Sequence, residues 1–293
     1  MERVGVVGLG TMGGAMAVNI ARAGFPLVVW NRSPGRTGEF EALGIPVAGT
    51  PGVLAAAVDV VLVSVSDTPD VETVLFGPEG VATGAAPGTL VIDCSTIDPA
   101  AARGFAARLG EQGVEFVDAP VTGGSEGAKN ATLAILVGGD PANVERAGPI
   151  FAAIGRTVTR FGPVGAGQAA KAVNQVVVAA TYMGVAEGIV LAIKAGLNAE
   201  QVVEALSGGA AQSWVLTNRS HRMLANEYPP GFQVALHLKD LAIALALARA
   251  SGAVLPVAAL VSQLEAGLVA LGHGSDDLSA LARSIRALSG LDA

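Results

Sequence analysis

Short apolar, β-branched runs recur through the first half of the chain: Val4–Val7, Leu27–Trp30, Val58–Val65, Leu90–Ile92, Val114–Val117, Leu133–Val137 and Thr157–Thr159. Ala-rich stretches with helical spacing lie between them, among them Met12–Ala23, Gly52–Ala57, Pro99–Leu109 and Pro141–Ile154. Unbroken apolar runs mark strands covered on both faces. Their alternation with helices predicts a doubly wound parallel sheet of Rossmann-like α/β type.

After Phe161 the strand pattern stops. The turn-rich segment Gly162-Pro163-Val164-Gly165-Ala166-Gly167 leads into a predicted long helix from Gln168 to about Ala195. Further helices are expected at Ala199–Leu206, Ser213–Ala225, Val234–Ala250, Val257–Ala270 and Asp277–Leu288, punctuated by Gly and Pro. The chain therefore divides into an α/β domain, 1–162, and an all-helical domain, 163–293, entered through the long helix. The most apolar stretch, Ala172–Ile193, carries Asn174, Gln175 and Glu187. Those polar residues favour a buried helix over a membrane span.

Composition narrows the function classes. With 51% apolar and 15% charged residues, the 293-residue chain can bury a sizeable core. Lys and Arg number 18 against 25 Asp and Glu, a net charge of −7, so nucleic acid is not an expected partner. One cysteine, Cys94, cannot form an internal disulfide and is read as a small buried hydrophobe. His221, His237 and His273 are scattered without ligand spacing, so no metal is expected. Glu2 and Arg3 lead directly into the first strand, so no signal peptide is expected and the cytoplasm is the expected compartment. Asp67, Asp70, Glu72 and Glu79 read as a solvated face, and Trp214 as core or interface, with Ser213 and Trp214 able to line a pocket.

The first chemistry-bearing motif is Gly8-Leu9-Gly10-Thr11-Met12-Gly13, between a predicted strand and a predicted helix. Gly8 permits the tight turn, Gly10 lets a pyrophosphate approach the backbone, and Gly13 lets helix and strand pack closely. Free amides at the helix start, including those of Thr11 and Met12, suit an anion. The second strand ends Asn31-Arg32-Ser33, where NAD sites usually carry an acid. A guanidinium and a hydroxyl suit a 2′-phosphate, so NADP(H) is expected to be preferred over NAD(H).

Three more polar or Gly-rich stretches stand out: Asp93–Pro99, Asp118–Ala128 and Gly165–Gln175. The last places Lys171, Asn174 and Gln175 on one face of an otherwise apolar helix. Hydride transfer to an aldehyde builds charge on oxygen, which a nearby ammonium stabilises and protonates. Backbone amides at Thr122-Gly123-Gly124 can hold a carboxylate.

Together with Gly8–Asn19 and Phe232–Leu241, these motifs make the chain resemble the β-hydroxyacid dehydrogenase family over nearly its whole length. The resemblance implies the architecture of 6-phosphogluconate dehydrogenase relatives, with a site where the two domains meet. It implies Lys171 as the catalytic lysine, and Asn174 and Gln175 as substrate-placing amides. It also implies Thr122, Gly123 and Gly124 as the carboxylate loop, Thr96 and Lys239 as cofactor contacts, and Asp240 as a structural carboxylate. Val65 and Ser66 fall on the nicotinamide side, where many relatives have Pro instead of Ser66. Gln175 stands where others have Asn.

The implied activity interconverts a small 3-hydroxy acid and its semialdehyde, of the 3-hydroxyisobutyrate, tartronate semialdehyde, succinic semialdehyde or glyoxylate class. A homodimer or homotetramer is implied too. The alternatives are an imine reductase of the same architecture, which usually lacks the lysine, and a silent NADPH-binding module.

Overall fold

The computed structural model describes residues 1–291. Two compact units divide after Lys171. The first unit runs β1 (Val4–Val7), α1 (Thr11–Arg22), β2 (Leu27–Trp30), α2 (Gly38–Ala42), α3 (Pro51–Ala56), β3 (Val60–Val63), α4 (Thr68–Phe76), β4 (Leu90–Asp93), α5 (Pro99–Gly110), β5 (Glu115–Asp118), β6 (Val121–Thr122), α6 (Gly124–Lys129), β7 (Leu133–Gly138), α7 (Pro141–Ile154) and β8 (Gly155–Gly162). The helix α8 (Ala166–Lys194) begins in this unit.

The sheet has the order β2-β1-β3-β4-β5-β7-β6, with β8 paired to β7. β1, β3 and β4 are buried at every position, as their unbroken apolar runs predict. Alternate side chains feed two cores, one on each face: Val6, Leu62 and Ile92 pack with Met16 and Ile20 of α1, while Val61, Val63 and Val91 pack with Leu54, Leu75 and Phe105.

The expected all-parallel sheet holds from β2 through β5 and fails at β7, which runs antiparallel to β5 and β6. The connection from β6 to β7 is too short for a parallel crossover, which needs about a dozen residues or more. The longer connection through α7 returns β8 parallel to β7. At this edge Arg156 and Arg160 are exposed, and charge of this kind deters edge pairing.

Four elements were not anticipated: α2, α4, β6 and α6. Of these, α4 had a readable start, since Asp67 accepts from the Thr68 amide at 2.6 Å and Pro69 occupies the first turn. Of the four acids read as a solvated face, Asp70 and Glu72 lie on α4 and pair with Arg32 and Arg108, Asp67 is its cap, and Glu79 lies beyond its end.

The second unit continues α8 and adds α9 (Ala199–Leu206), α10 (Trp214–Ala225), α11 (Val234–Ser251), α12 (Pro256–Ala270) and α13 (Leu281–Leu288). The last expected helix starts later than its pattern suggests. Asp277 accepts from the Ser279 amide and hydroxyl, and a 3-10 turn at Leu278–Ala280 precedes α13. The core of this unit gathers Tyr182, Met183, Ile189, Met223, Leu241, Val261 and Leu278. By length and composition α8 is apolar enough to cross a membrane, with mean hydropathy 2.0 over 18 residues, of which 39% are buried within the chain. Val173, Val177 and Leu191 lie on its exposed side.

Candidate active site

The parallel register sets Trp30, Val7, Val63, Asp93 and Asp118 in one row at the carboxyl ends of β2, β1, β3, β4 and β5. The segments that follow these strands therefore emerge along one edge of the sheet, where open α/β sheets bind ligands. Strand order reverses at β1, with β2 on one side and β3 on the other. The glycine turn and Val65-Ser66 leave the sheet on either side of that reversal.

Gly8 has φ +96°, and a side chain there would strike the Ser64 carbonyl. A Cβ on Gly13 would strike the Gly8 carbonyl, so α1 presses directly on the turn. Gly10 differs. It is the N-cap of α1, no side chain caps it, and nothing lies within 4 Å of where its Cβ would stand. The protein does not need glycine there for its own packing. An open cradle at an uncapped helix start fits the pyrophosphate of a dinucleotide.

Asn31, expected at the ribose, buttresses this turn. Its Oδ1 accepts from the Leu9 amide at 2.8 Å and its Nδ2 donates to the Ser33 carbonyl at 2.8 Å. Arg32 is exposed, and its Nη1 lies 2.7 Å from Asp70 Oδ1. Ser66 is exposed, Thr96 is half-buried, and the Val65 amide donates to Ser95 Oγ at 3.0 Å.

Asp118 and Gln168, which lie in two of the polar stretches but carry no role in the sequence reading, hold the start of α8. One Asp118 oxygen accepts from the Gly165 amide at 2.7 Å and the other from the Gln168 amide at 2.8 Å. Burial pushes this carboxyl up to about 6, against the pull of its backbone donors. The Gln168 side chain donates to the Ser95 carbonyl at 2.8 Å and accepts from the Ile97 amide at 3.1 Å. A signal for this did exist. The segment Gly165-Ala166-Gly167 offers no capping side chain, so the cap must come from elsewhere in the chain. Nearby, burial pushes the Cys94 thiol well up, which removes it from nucleophilic chemistry.

Three residues beyond Gln168, Lys171 is only 8% exposed, and its Nζ donates to the Val121 carbonyl at 2.9 Å. Val121 immediately precedes Thr122, Gly123 and Gly124. The ammonium thus lies against the segment expected to hold a carboxylate. Asp118 closes the ring, because the chain runs from it through two residues to Val121 while its side chain fixes the helix that carries Lys171.

The second unit holds a separate polar cluster. Asn174 Nδ2 donates to Gln175 Oε1 at 2.7 Å, Gln175 Nε2 donates to Asp240 Oδ2 at 2.5 Å, and Lys239 Nζ lies 2.8 Å from Asp240 Oδ1. Trp214, expected in the core or an interface, is 49% exposed in the chain alone, with the Arg219 guanidinium 4.5 Å from its ring centroid. Ser213 caps α10 through the Leu216 amide.

Comparison with known proteins agrees with this architecture. Residues 3–162 match the family model of the NAD-binding domain of 6-phosphogluconate dehydrogenase. Residues 165–285 match the model described as NAD-binding of NADP-dependent 3-hydroxyisobutyrate dehydrogenase. The 2-hydroxy-3-oxopropionate reductase of Escherichia coli K12 is 39% identical over 98% of both chains. The NAD-dependent L-serine dehydrogenase of Pseudomonas aeruginosa is 35% identical over 95% of this chain and 96% of its own. Among solved structures, Mycobacterium tuberculosis 3-hydroxyisobutyrate dehydrogenase with L-serine superposes with a TM-score of 0.88 at 32% identity, covering 98% of this chain and 99% of that one. With a buried lysine set against the Thr122–Gly124 segment, and both halves matched, the chain belongs to the β-hydroxyacid dehydrogenase family.

Proposed function

We propose that this chain is an NADP(H)-dependent dehydrogenase that interconverts a small 3-hydroxy acid and its semialdehyde, with Lys171 as the proton donor and acceptor. The observation that carries the reading is the 2.9 Å bond from Lys171 Nζ to the Val121 carbonyl, next to Thr122-Gly123-Gly124. The relatives named for 2-hydroxy-3-oxopropionate, 3-hydroxyisobutyrate and L-serine support a small substrate carrying a carboxylate and a hydroxyl or carbonyl. Glyoxylate and succinic semialdehyde belong to the same class.

Gly8, Gly10, Thr11, Met12 and Gly13 would hold the pyrophosphate, with Asn31, Arg32 and Ser33 at the adenosine ribose and Val65, Ser66, Thr96 and Lys239 along the remainder. When bound, the reduced nicotinamide supplies a hydride to the carbonyl carbon. The remaining work falls to the chain. Amides at Thr122–Gly124 hold the substrate carboxylate, and Asn174 and Gln175 place its polar substituent. The Lys171 ammonium hydrogen-bonds the carbonyl oxygen, stabilises the charge that grows there and delivers a proton to it. The Val121 bond uses one of the three donors that an ammonium carries and fixes its direction.

The NADP(H) preference rests on the end of β2, where Asn31-Arg32-Ser33 offers a cation and no carboxylate. Exposed Val173, Val177 and Leu191 on α8 support a homo-oligomer covering that face, a dimer or tetramer by light scattering.

The test is turnover on a panel of semialdehydes with each nicotinamide. Lys171→Ala should lower kcat by about 10²–10⁴-fold with NADPH affinity near wild type. Normal turnover in that variant rejects the role of Lys171, and a higher kcat/KM with NADH than with NADPH rejects the cofactor preference.

A further inference from the structure

One buried ionisable pair takes no part in the chemistry above. His237 on α11 and Glu265 on α12 have no exposed surface at all. His237 Nδ1 lies 2.6 Å from Glu265 Oε1, and His237 Nε2 lies 3.3 Å from the backbone carbonyl oxygen of Gln175. A carbonyl only accepts, so Nε2 carries a hydrogen. The proton between Nδ1 and Oε1 then belongs either to an imidazolium beside a carboxylate or to a carboxylic acid beside a neutral ring. Both arrangements leave the pair without net charge. Both keep the Nε2–H pointed at Gln175. Glu265 thereby decides which ring nitrogen faces α8, as carboxylates orient histidines elsewhere.

Packing alone gives little reason for such a pair. Glu265 Oε2 is buried without a hydrogen-bond partner, and burial pushes this carboxyl up against the pull of His237. Apolar residues of similar volume usually serve a core at least as well. What the pair does hold is Gln175. That residue is fixed at three points: its backbone carbonyl by His237, its Nε2 by Asp240 and its Oε1 by Asn174. The edge-on contact between Phe232 and the His237 ring, with centroids 5.6 Å apart, limits rotation of the imidazole.

We propose that Glu265 and His237 are positioning residues that lock α8 at Gln175, so that the Asn174–Gln175 amides present one fixed face to the polar substituent of the substrate. This rests on the reading of Asn174 and Gln175 as substrate-placing residues. Small acids bearing a hydroxyl or carbonyl beside the reacting carbon would feel the pair most, and the nicotinamide cofactor least.

Steady-state kinetics with the preferred semialdehyde, together with NADPH affinity measured by fluorescence, tests the proposal. Glu265→Leu should raise KM by about tenfold or more, with kcat and NADPH affinity within about twofold of wild type. Glu265→Gln should restore KM, because its amide donates to Nδ1 and leaves the Nε2–H in place. In an Asn174→Ala background, Glu265→Leu should add less than it does in wild type, since the two act partly through the same pair of amides. His237→Phe, which keeps the ring and loses the donor, should match Glu265→Leu and serves if the leucine variant does not fold. Equal KM in Glu265→Leu, Glu265→Gln and wild type overturns the proposal. So does a multiplicative effect with Asn174→Ala, or an equal loss of NADPH affinity. If Asn174→Ala itself leaves KM unchanged, the substrate-placing reading fails as well. A raised KM there with none in the Glu265→Leu and His237→Phe variants overturns the positioning role alone.

Discussion

The two units hold their polar groups by opposite means. In the first, the backbone does the holding: amides of Gly165 and Gln168 grip Asp118, and the Val121 carbonyl grips Lys171. In the second, side chains hold one another, from Asn174 through Gln175 and Asp240 to Lys239, with His237 and Glu265 behind them. A backbone-held group is fixed as firmly as the strand and helix that carry it, which suits the atom that must meet a reacting oxygen. A side-chain network adjusts through rotamers, which suits selection among similar small acids. Changes to the backbone-held Asp118–Lys171 cluster should therefore strike stability and kcat, and changes to the side-chain network should strike KM.

The largest effect expected from breaking the backbone-held cluster is Asp118→Ala. It leaves two buried amides without an acceptor, at ~1–3 kcal/mol each, and releases the first turn of α8, so kcat should fall with stability. The same residue makes stability depend on pH. Its folded carboxyl sits at about 6, against about 4 for an unfolded chain. Between those values the folded protein holds a proton that the unfolded chain has lost. The contribution is thus full below about pH 4 and lost as pH rises through 6, ~3 kcal/mol at most. Denaturant unfolding from pH 4 to 7.5 should show this decline in wild type and a smaller one in Asp118→Ala, where the raised carboxyl of Glu265 remains. An unchanged profile in the variant would contradict the assignment.

Two glycines sharpen the contrast at a smaller scale. Gly13→Ala forces α1 off the Gly8 carbonyl and should lower the melting temperature. Gly10→Ala meets nothing in the protein and should melt as wild type while NADPH affinity falls about tenfold. Equal effects of the two on melting would contradict the cradle. The smallest effect belongs to Asp70→Asn, which frees Arg32 from an exposed ion pair. Stability should not move, and the ratio of kcat/KM for NADPH over NADH should rise. A falling ratio would mean that Asp70 orients Arg32 for the phosphate instead of competing for it.

Legibility in the sequence follows the range of the physics. The strands β1 to β5, the glycine turn and the shared face of Lys171, Asn174 and Gln175 depend on neighbours a few residues away. Asp118 caps a helix 47 residues further along the chain, so the motif around it was visible and its partner was not. His237 and Glu265 are 28 residues apart on different helices, and a single buried histidine carries no periodic signal. The antiparallel edge turned on the shortness of the β6–β7 connection. The two-residue strand β6 and the six-residue helix α6 are too short to leave a pattern.

The central claim is that the Lys171 ammonium protonates the reacting oxygen. Chemical rescue tests it most directly: kcat of Lys171→Ala measured with small primary alkylamines added at fixed pH. Turnover should be nearly lost without amine and should rise in proportion to alkylammonium concentration, tracking the acidity of the amine. Wild-type turnover in the variant without added amine would contradict it.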